Sequence, residues 1–180
     1  MIFITGGVRS GKSSFAERLV QQFGQDLQYY YIATGVAFDQ EMVARITRHQ
    51  LDREKQGLRW QTIEIQVEIP DAIKQLNAQY VLLFECVTTW LANVLYHTET
   101  LENREQRIAD YVLAFQTQLL AWQRQGVQVV IVSNEILDEP RASNEEVELY
   151  RALIGNLHQW IVAHCESVYE VQYQLVQQWK

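Results

Sequence analysis

Residues 2–13 read Ile2-Phe3-Ile4-Thr5-Gly6-Gly7-Val8-Arg9-Ser10-Gly11-Lys12-Ser13. Three apolar residues run into glycines, the pattern of a short buried strand. From Ser13 to Phe23 the apolar residues Phe15, Leu19, Val20 and Phe23 recur at helical spacing, and Gly24 stops the run. Between strand and helix, Gly6 to Ser13 fit G-x-x-x-x-G-K-[ST]. Each part has a physical task. Gly6 and Gly11 reach backbone angles closed to other residues, so the N–H groups of Gly6, Gly7, Arg9, Ser10 and their neighbours can turn inward around a phosphate. The helix adds the positive end of its dipole. Lys12 can reach the β- and γ-phosphates, and the Ser13 hydroxyl can ligate Mg²⁺. Four fixed positions recur by chance on the order of once per hundred chains of this length, and the strand–loop–helix context lowers that further. The motif specifies phosphate binding. It does not separate a kinase from an ATPase or a switch.

Outward from this loop, apolar strands alternate with amphipathic helices. Strands are expected at Gln28 to Ala33, Trp60 to Ile65, Tyr80 to Phe84, Val127 to Ser133 and, as the final one, Ser167 to Tyr173. Helices are expected over Glu41 to about Lys55, Asp71 to Leu76, the stretch carrying Trp90, Leu91, Val94 and Leu95, Glu105 to Gln125, and Glu145 to Cys165. Such alternation implies an α/β fold, P-loop NTPase-like, with a mostly parallel central sheet and helices on both faces. With 180 residues, no Pro/Gly/Ser linker and no repeat, residues 1–180 read as a single nucleotide-binding domain.

Composition narrows the function. Fifteen Lys+Arg against 22 Asp+Glu give a net charge of −7, which argues against a nucleic-acid binder with its basic field. A small anion can still bind through local amides and one or two cations. Two cysteines, Cys86 and Cys165, and no CxxC pair exclude a disulfide framework and a cysteine zinc site. The N-terminus lacks a signal-peptide pattern and no stretch reaches a membrane span, so a cytoplasmic location is expected.

Two further candidates have acid–base or nucleophilic chemistry. Glu85 directly follows the strand Tyr80–Phe84, at the carboxyl end where open α/β sheets bind ligands. It can organise Mg²⁺ or substrate, or merely cap the next helix. On a helix, Arg45, His49 and Arg53 lie four residues apart and share one face. The arginines would keep His49 neutral by like-charge repulsion and could stabilise charge developing on phosphorus. The same face could equally be solvated, its arginines paired with Glu41 or Asp52. His97, His158 and His164 lack such surroundings and read as structural or exposed.

Several blocks together resemble one family, the bifunctional adenosylcobinamide kinase / adenosylcobinamide-phosphate guanylyltransferases of cobalamin biosynthesis. They are Thr5-Gly6-Gly7-Val8-Arg9-Ser10-Gly11-Lys12-Ser13, Tyr31-Ile32-Ala33-Thr34, Asp39-x-Glu41-Met42-x-x-Arg45-Ile46-x-x-His49-x-x-x-Arg53, Trp60-x-Thr62-x-Glu64, Glu85-Cys86-Val87-Thr88-Thr89-Trp90-Leu91-x-Asn93 and Val132-Ser133-Asn134-Glu135. The resemblance implies two reactions. A nucleoside triphosphate, ATP or GTP, phosphorylates the aminopropanol hydroxyl of adenosylcobinamide. GMP from GTP is then joined to that phosphate, giving adenosylcobinamide-GDP. By the same resemblance His49 carries GMP covalently, Lys12 and Glu85 act in catalysis, and Gly6, Gly7, Arg9, Ser10, Gly11, Lys12, Ser13, Thr34, Arg45, Arg53 and Glu64 bind nucleotide. Ser13 and Glu85 hold the metal, and the protein is a homotrimer. The chain departs from the family pattern after Glu135. The usual glycine-rich segment is Ile136-Leu137-Asp138-Glu139-Pro140, and of a later charged stretch Arg151, Gly155 and Gln159 remain. A plain small-molecule P-loop kinase and a nucleotide-dependent binding module are the other readings open to this sequence.

Overall fold

A computed structural model describes residues 1–24, 26–35, 58–136 and 144–180. The strands are β1 (Ile2–Thr5), β2 (Gln28–Ala33), β3 (Trp60–Glu64), β4 (Tyr80–Glu85), β5 (Gln128–Val132), β6 (Ser167–Gln172) and β7 (Leu175–Gln178). The helices are α1 (Lys12–Val20), continued by a 3₁₀ turn at Gln21–Phe23, then α2 (Asp71–Lys74), α3 (Val87–Thr98), α4 (Arg104–Arg124) and α5 (Glu145–His164). The helix expected from Glu41 to about Lys55 lies outside the described residues.

The strands form one sheet in the order β3-β2-β4-β5-β1-β6-β7. Every pairing is parallel except β6 with β7. This is the mostly parallel sheet expected from the alternation of elements. It is extended by β7, which sequence reasoning did not foresee: Ser167–Gln172 is followed by an antiparallel return strand.

Alternation along the strands sorts the core into two layers. Phe3, Leu82, Phe84, Val129, Ile131 and Val168 point to one face, where they pack with Trp90, Leu91 and Val94 of α3, Phe115, Leu119 and Trp122 of α4, and Ile154, Leu157 and Ile161 of α5. Ile4, Val81, Leu83, Val130, Val132 and Val171 point to the other, against Ala16 and Val20 of α1. Helices therefore cover both faces, and β1, β4 and β5 are continuous apolar runs because neither of their faces meets water. The two largest core side chains also satisfy their one polar atom. Trp90 donates to Val67 O at 2.8 Å and Trp122 to Ile73 O at 2.7 Å, tying the segment after β3 to α3 and α2 to α4.

α5 starts at Asn144, whose side chain accepts from the Glu146 N–H at 2.8 Å. On its inner face sits His158, 7 % exposed. Its Nε2 lies 2.7 Å from Ser133 Oγ, and its ring tilts against Phe3. Burial pushes its pKa down from 6.5 to about 4. The unfolded chain therefore takes up this proton first as the pH falls. Stability owed to His158 is complete above about pH 6.5 and declines between 6.5 and 4, by on the order of 3 kcal/mol. Urea unfolding across that window should show a shallower acid loss in His158→Gln than in the parent chain. Parallel curves would contradict this assignment.

Candidate nucleotide-binding site

The loop between β1 and α1 is held from three sides by backbone. Gly6 O accepts the Glu135 N–H at 2.9 Å, from the chain leaving β5. Ser10 O accepts the Gln174 N–H at 2.8 Å, from the β6–β7 turn. Within the loop Ser10 N–H reaches Gly7 O at 3.2 Å. Gly6 has φ 153° and Gly11, the residue before α1, φ 96°. A Cβ on Gly6 would stand 2.1 Å from Val171 O, so glycine is required there for contact as well as conformation. α1 has no side-chain N-cap hydrogen bond, so no capping side chain takes its first N–H groups. Lys12, only 6 % exposed, places Nζ 3.0 Å from Gly7 O, bridging the loop mouth. Ser10 Oγ is buried with no hydrogen-bond partner.

Ser13 and Glu85 meet directly, the serine hydroxyl donating to Glu85 Oε1. Glu85 Oε2 is buried and has no hydrogen-bond partner. Glu85 ends β4, two strands from β1 with β5 between, and its peptide to Cys86 is cis. A net of neutral groups fixes this corner. Thr34 Oγ1 donates to Cys86 O at 2.9 Å and accepts the Cys86 N–H at 2.8 Å, while Thr34 N–H bonds Glu85 O at 3.0 Å. Asn93 donates to Thr34 O at 2.9 Å and to Gln66 O at 3.1 Å. Asn134 donates to Thr88 Oγ1 at 2.9 Å and Tyr150 to Thr88 O at 3.0 Å. Burial, and then the nearby Cys86, push the Tyr150 hydroxyl well above the ordinary phenol value, so it remains a donor.

The chain matches the model of the cobinamide kinase / cobinamide phosphate guanyltransferase family over residues 2–175. It belongs to that family. It is 34 % identical over 181 residues to the bifunctional adenosylcobalamin biosynthesis protein CobU of Escherichia coli (strain K12), covering 95 % of this chain and 94 % of that protein. Its identity to the protein of the same name from Salmonella typhimurium is 33 %, with the same coverage. To CobP of Pseudomonas aeruginosa it is 34 %, covering 92 % and 88 %. Among solved structures, the RadB recombinase superposes with a TM-score of 0.53 at 16 % identity, over 94 % of this chain and 72 % of that one, a likeness of fold. The chain is thus an enzyme of the cobinamide kinase / guanyltransferase family, with a role in cobalamin biosynthesis.

Within this family member, the structure brings Gly6, Gly7, Ser10, Gly11, Lys12, Ser13 and Glu85 together at the carboxyl ends of β1 and β4. Arg9 is exposed on the loop with φ 61°. Glu64 is exposed at the end of β3, in register with Ala33, which is itself in register with Glu85. Arg45, His49 and Arg53 lie outside the described residues. Thr34 is fully buried and its hydroxyl is engaged on Cys86, a supporting position. Sequence reasoning gave no role to Asn93, Asn134 or Tyr150. All three stand in or beside the blocks that carry the family resemblance, which was the available signal. Their tasks need the fold, because each bonds a residue at least 27 positions away. Thr34→Val keeps the shape and strands the two Cys86 backbone groups. It should lower the unfolding free energy by about 1–3 kcal/mol, read from chemical denaturation. An unchanged midpoint would show that those groups find other partners.

Proposed function

We propose that the protein phosphorylates the aminopropanol hydroxyl of adenosylcobinamide with ATP or GTP and then transfers GMP from GTP to the new phosphate, through a GMP-carrying His49. The observation that supports this best is the meeting of Lys12, Ser13 and Glu85 around an anion-binding loop, in a chain that matches the family from residue 2 to 175. In the first step the hydroxyl oxygen attacks the γ-phosphorus and the β–γ bond breaks. Lys12 and the loop amides stabilise the charge gathering on the phosphate oxygens. Arg9 extends the cationic rim. Thr34 and Glu64 border the site from β2 and β3.

Ser13 and Glu85 offer a hydroxyl and a carboxylate, hard oxygen donors that suit Mg²⁺. The unpartnered Glu85 Oε2 fits that role. Among the described residues no three His, Cys, Asp or Glu side chains converge on a metal position. Bound there, Mg²⁺ would neutralise phosphate charge.

In the second step a neutral His49 nitrogen attacks the α-phosphorus of GTP, forming an N–P bond as pyrophosphate leaves. An oxygen of adenosylcobinamide phosphate then attacks the same phosphorus and the N–P bond breaks, giving adenosylcobinamide-GDP. Arg45 and Arg53 stabilise the charge on the way. One domain carrying both reactions suits a homotrimer with nucleotide near subunit boundaries, working in the cytoplasm. Among the described residues no helix is long and apolar enough to cross a membrane.

Incubation with α-labelled GTP and Mg²⁺ should label the protein through an acid-labile, alkali-stable bond. The label should vanish in His49→Ala and persist in His164→Ala. Labelling that survives His49→Ala would overturn the covalent assignment. Phosphorylation of adenosylcobinamide without any labelling would make the protein a plain kinase. Nucleotide binding without either reaction would make it a binding module.

A further inference from the structure

We propose that Tyr173, at the tip of the β6–β7 hairpin, is the platform on which the base of the loop-bound nucleotide stacks. This rests on the loop being the nucleotide site. A nucleoside triphosphate is a linear ligand, so fixing one end sets the direction of the other. Its terminal phosphate faces Lys12, Ser13 and Glu85, and Glu85 lies on the β5–β4 side of β1. The nucleoside must then leave toward the opposite flank of β1, which is β6 and β7.

A cleft of about 310 Å³ begins in the loop itself and reaches the β6–β7 turn. Val8, Arg9 and Ser10 line it together with Glu135 and Ile136 from the chain leaving β5 and with Tyr173 from the hairpin. The volume is at the small end of ligand sites and suits a nucleoside whose phosphates lie in the loop. Tyr173 is 91 % exposed, so burial in the fold does not account for an aromatic there. Its backbone is costly as well. Tyr173 and Gln174 have φ 52° and 67°, both left-handed, in a two-residue turn where Asn-Gly is the usual choice. A strained aromatic with no packing return, beside a binding loop, is the signature of a ligand contact. The turn that carries Tyr173 is also tethered to the phosphate site. The next residue, Gln174, donates its N–H to Ser10 O at 2.8 Å and packs its side chain against Gly11.

Stacking reads the face of a base, which every purine has, so the platform serves ATP and GTP alike. Calorimetric titration of the full chain with ATP, GTP and inorganic tripolyphosphate, all with Mg²⁺, separates the possibilities. Tyr173→Asn, which suits a left-handed backbone, should weaken ATP and GTP binding roughly tenfold and leave tripolyphosphate binding unchanged. Tyr173→Phe should bind all three like the parent chain. Unchanged ATP and GTP binding in Tyr173→Asn would overturn the proposal. So would an equal loss for all three ligands, which would mean the residue only shapes the loop. Lys12→Ala checks the underlying site. It should weaken all three, and no loss there would reject the loop as the nucleotide site whatever Tyr173 does.

Discussion

The approach of Gly6 to the Val171 carbonyl is the constraint on which the rest turns. A Cβ on residue 6 would stand 2.1 Å from that oxygen, so only glycine fits. The contact closes the phosphate loop onto β6 while the Glu135 N–H closes it onto the chain leaving β5. A phosphate cradle must leave its own amides unpaired, so it cannot be rigidified by internal hydrogen bonds alone. Here the rigidity is imported through carbonyl oxygens, which point away from the ligand. Gly6 O and Ser10 O are the handles, and Glu135 and Gln174 hold them. The loop's shape therefore depends on β5 and on the β6–β7 hairpin being in place.

An acidic chain that handles polyphosphates must concentrate its positive potential. The net charge of −7 is spread over a surface where interactions fade within about 8 Å at physiological salt. At the loop the opposite field is local and partly shielded from water. Lys12 is buried and hydrogen-bonded to Gly7 O, and the first turn of α1, which no side chain caps, adds the positive end of the helix dipole. Inside the protein these interactions are far less screened than those of exposed acids, so the local field prevails where the phosphate sits. Glu85 would oppose an anion by itself. Paired with the Ser13 hydroxyl, it offers hard oxygen donors, and a cation bound there would turn the carboxylate from repulsive to attractive.

Much of this was legible in the sequence because it depends on local chemistry. Ile2-Phe3-Ile4, Tyr80–Phe84 and Val127–Ser133 are apolar without alternation, and doubly buried strands must look like that. Glu85 stands out in the sequence by its place at a strand's carboxyl end, and the structure sets it against Ser13. His158 was read as structural, and it is, hydrogen-bonded to Ser133 in the core. His164 was read the same way and bonds Trp160 O. β7 was missed for a physical reason. Its residues are exposed and show no inward face, and the turn before it is Tyr173-Gln174, which carries none of the Gly or Asn that announce a left-handed turn. The family resemblance of Tyr31-Ile32-Ala33-Thr34 implies a nucleotide contact at Thr34. Nothing local told that its hydroxyl would close on Cys86, 52 residues on. The role of His49 was undecided by spacing, since one helix face with two arginines serves a phosphate or the solvent equally well.

The corner that holds Glu85 is built from Thr34, Cys86, Thr88, Asn93, Asn134 and Tyr150, joined by hydrogen bonds between uncharged groups. That choice has consequences. Neutral hydrogen bonds are insensitive to salt and, with Tyr150 held protonated by burial, to pH in the neutral range. No lysine or arginine takes part in these bonds, so the supports carry no charge that salt or pH would change. The supports come from the end of β2, from α3, from the chain leaving β5 and from α5, so no single segment sets the geometry. α5 joins this corner through the Tyr150 hydroxyl, which donates to Thr88 O. Placement of one carboxylate is thus a property of the whole sheet-and-helix arrangement, which is why the residue could be picked out from sequence but its surroundings could not.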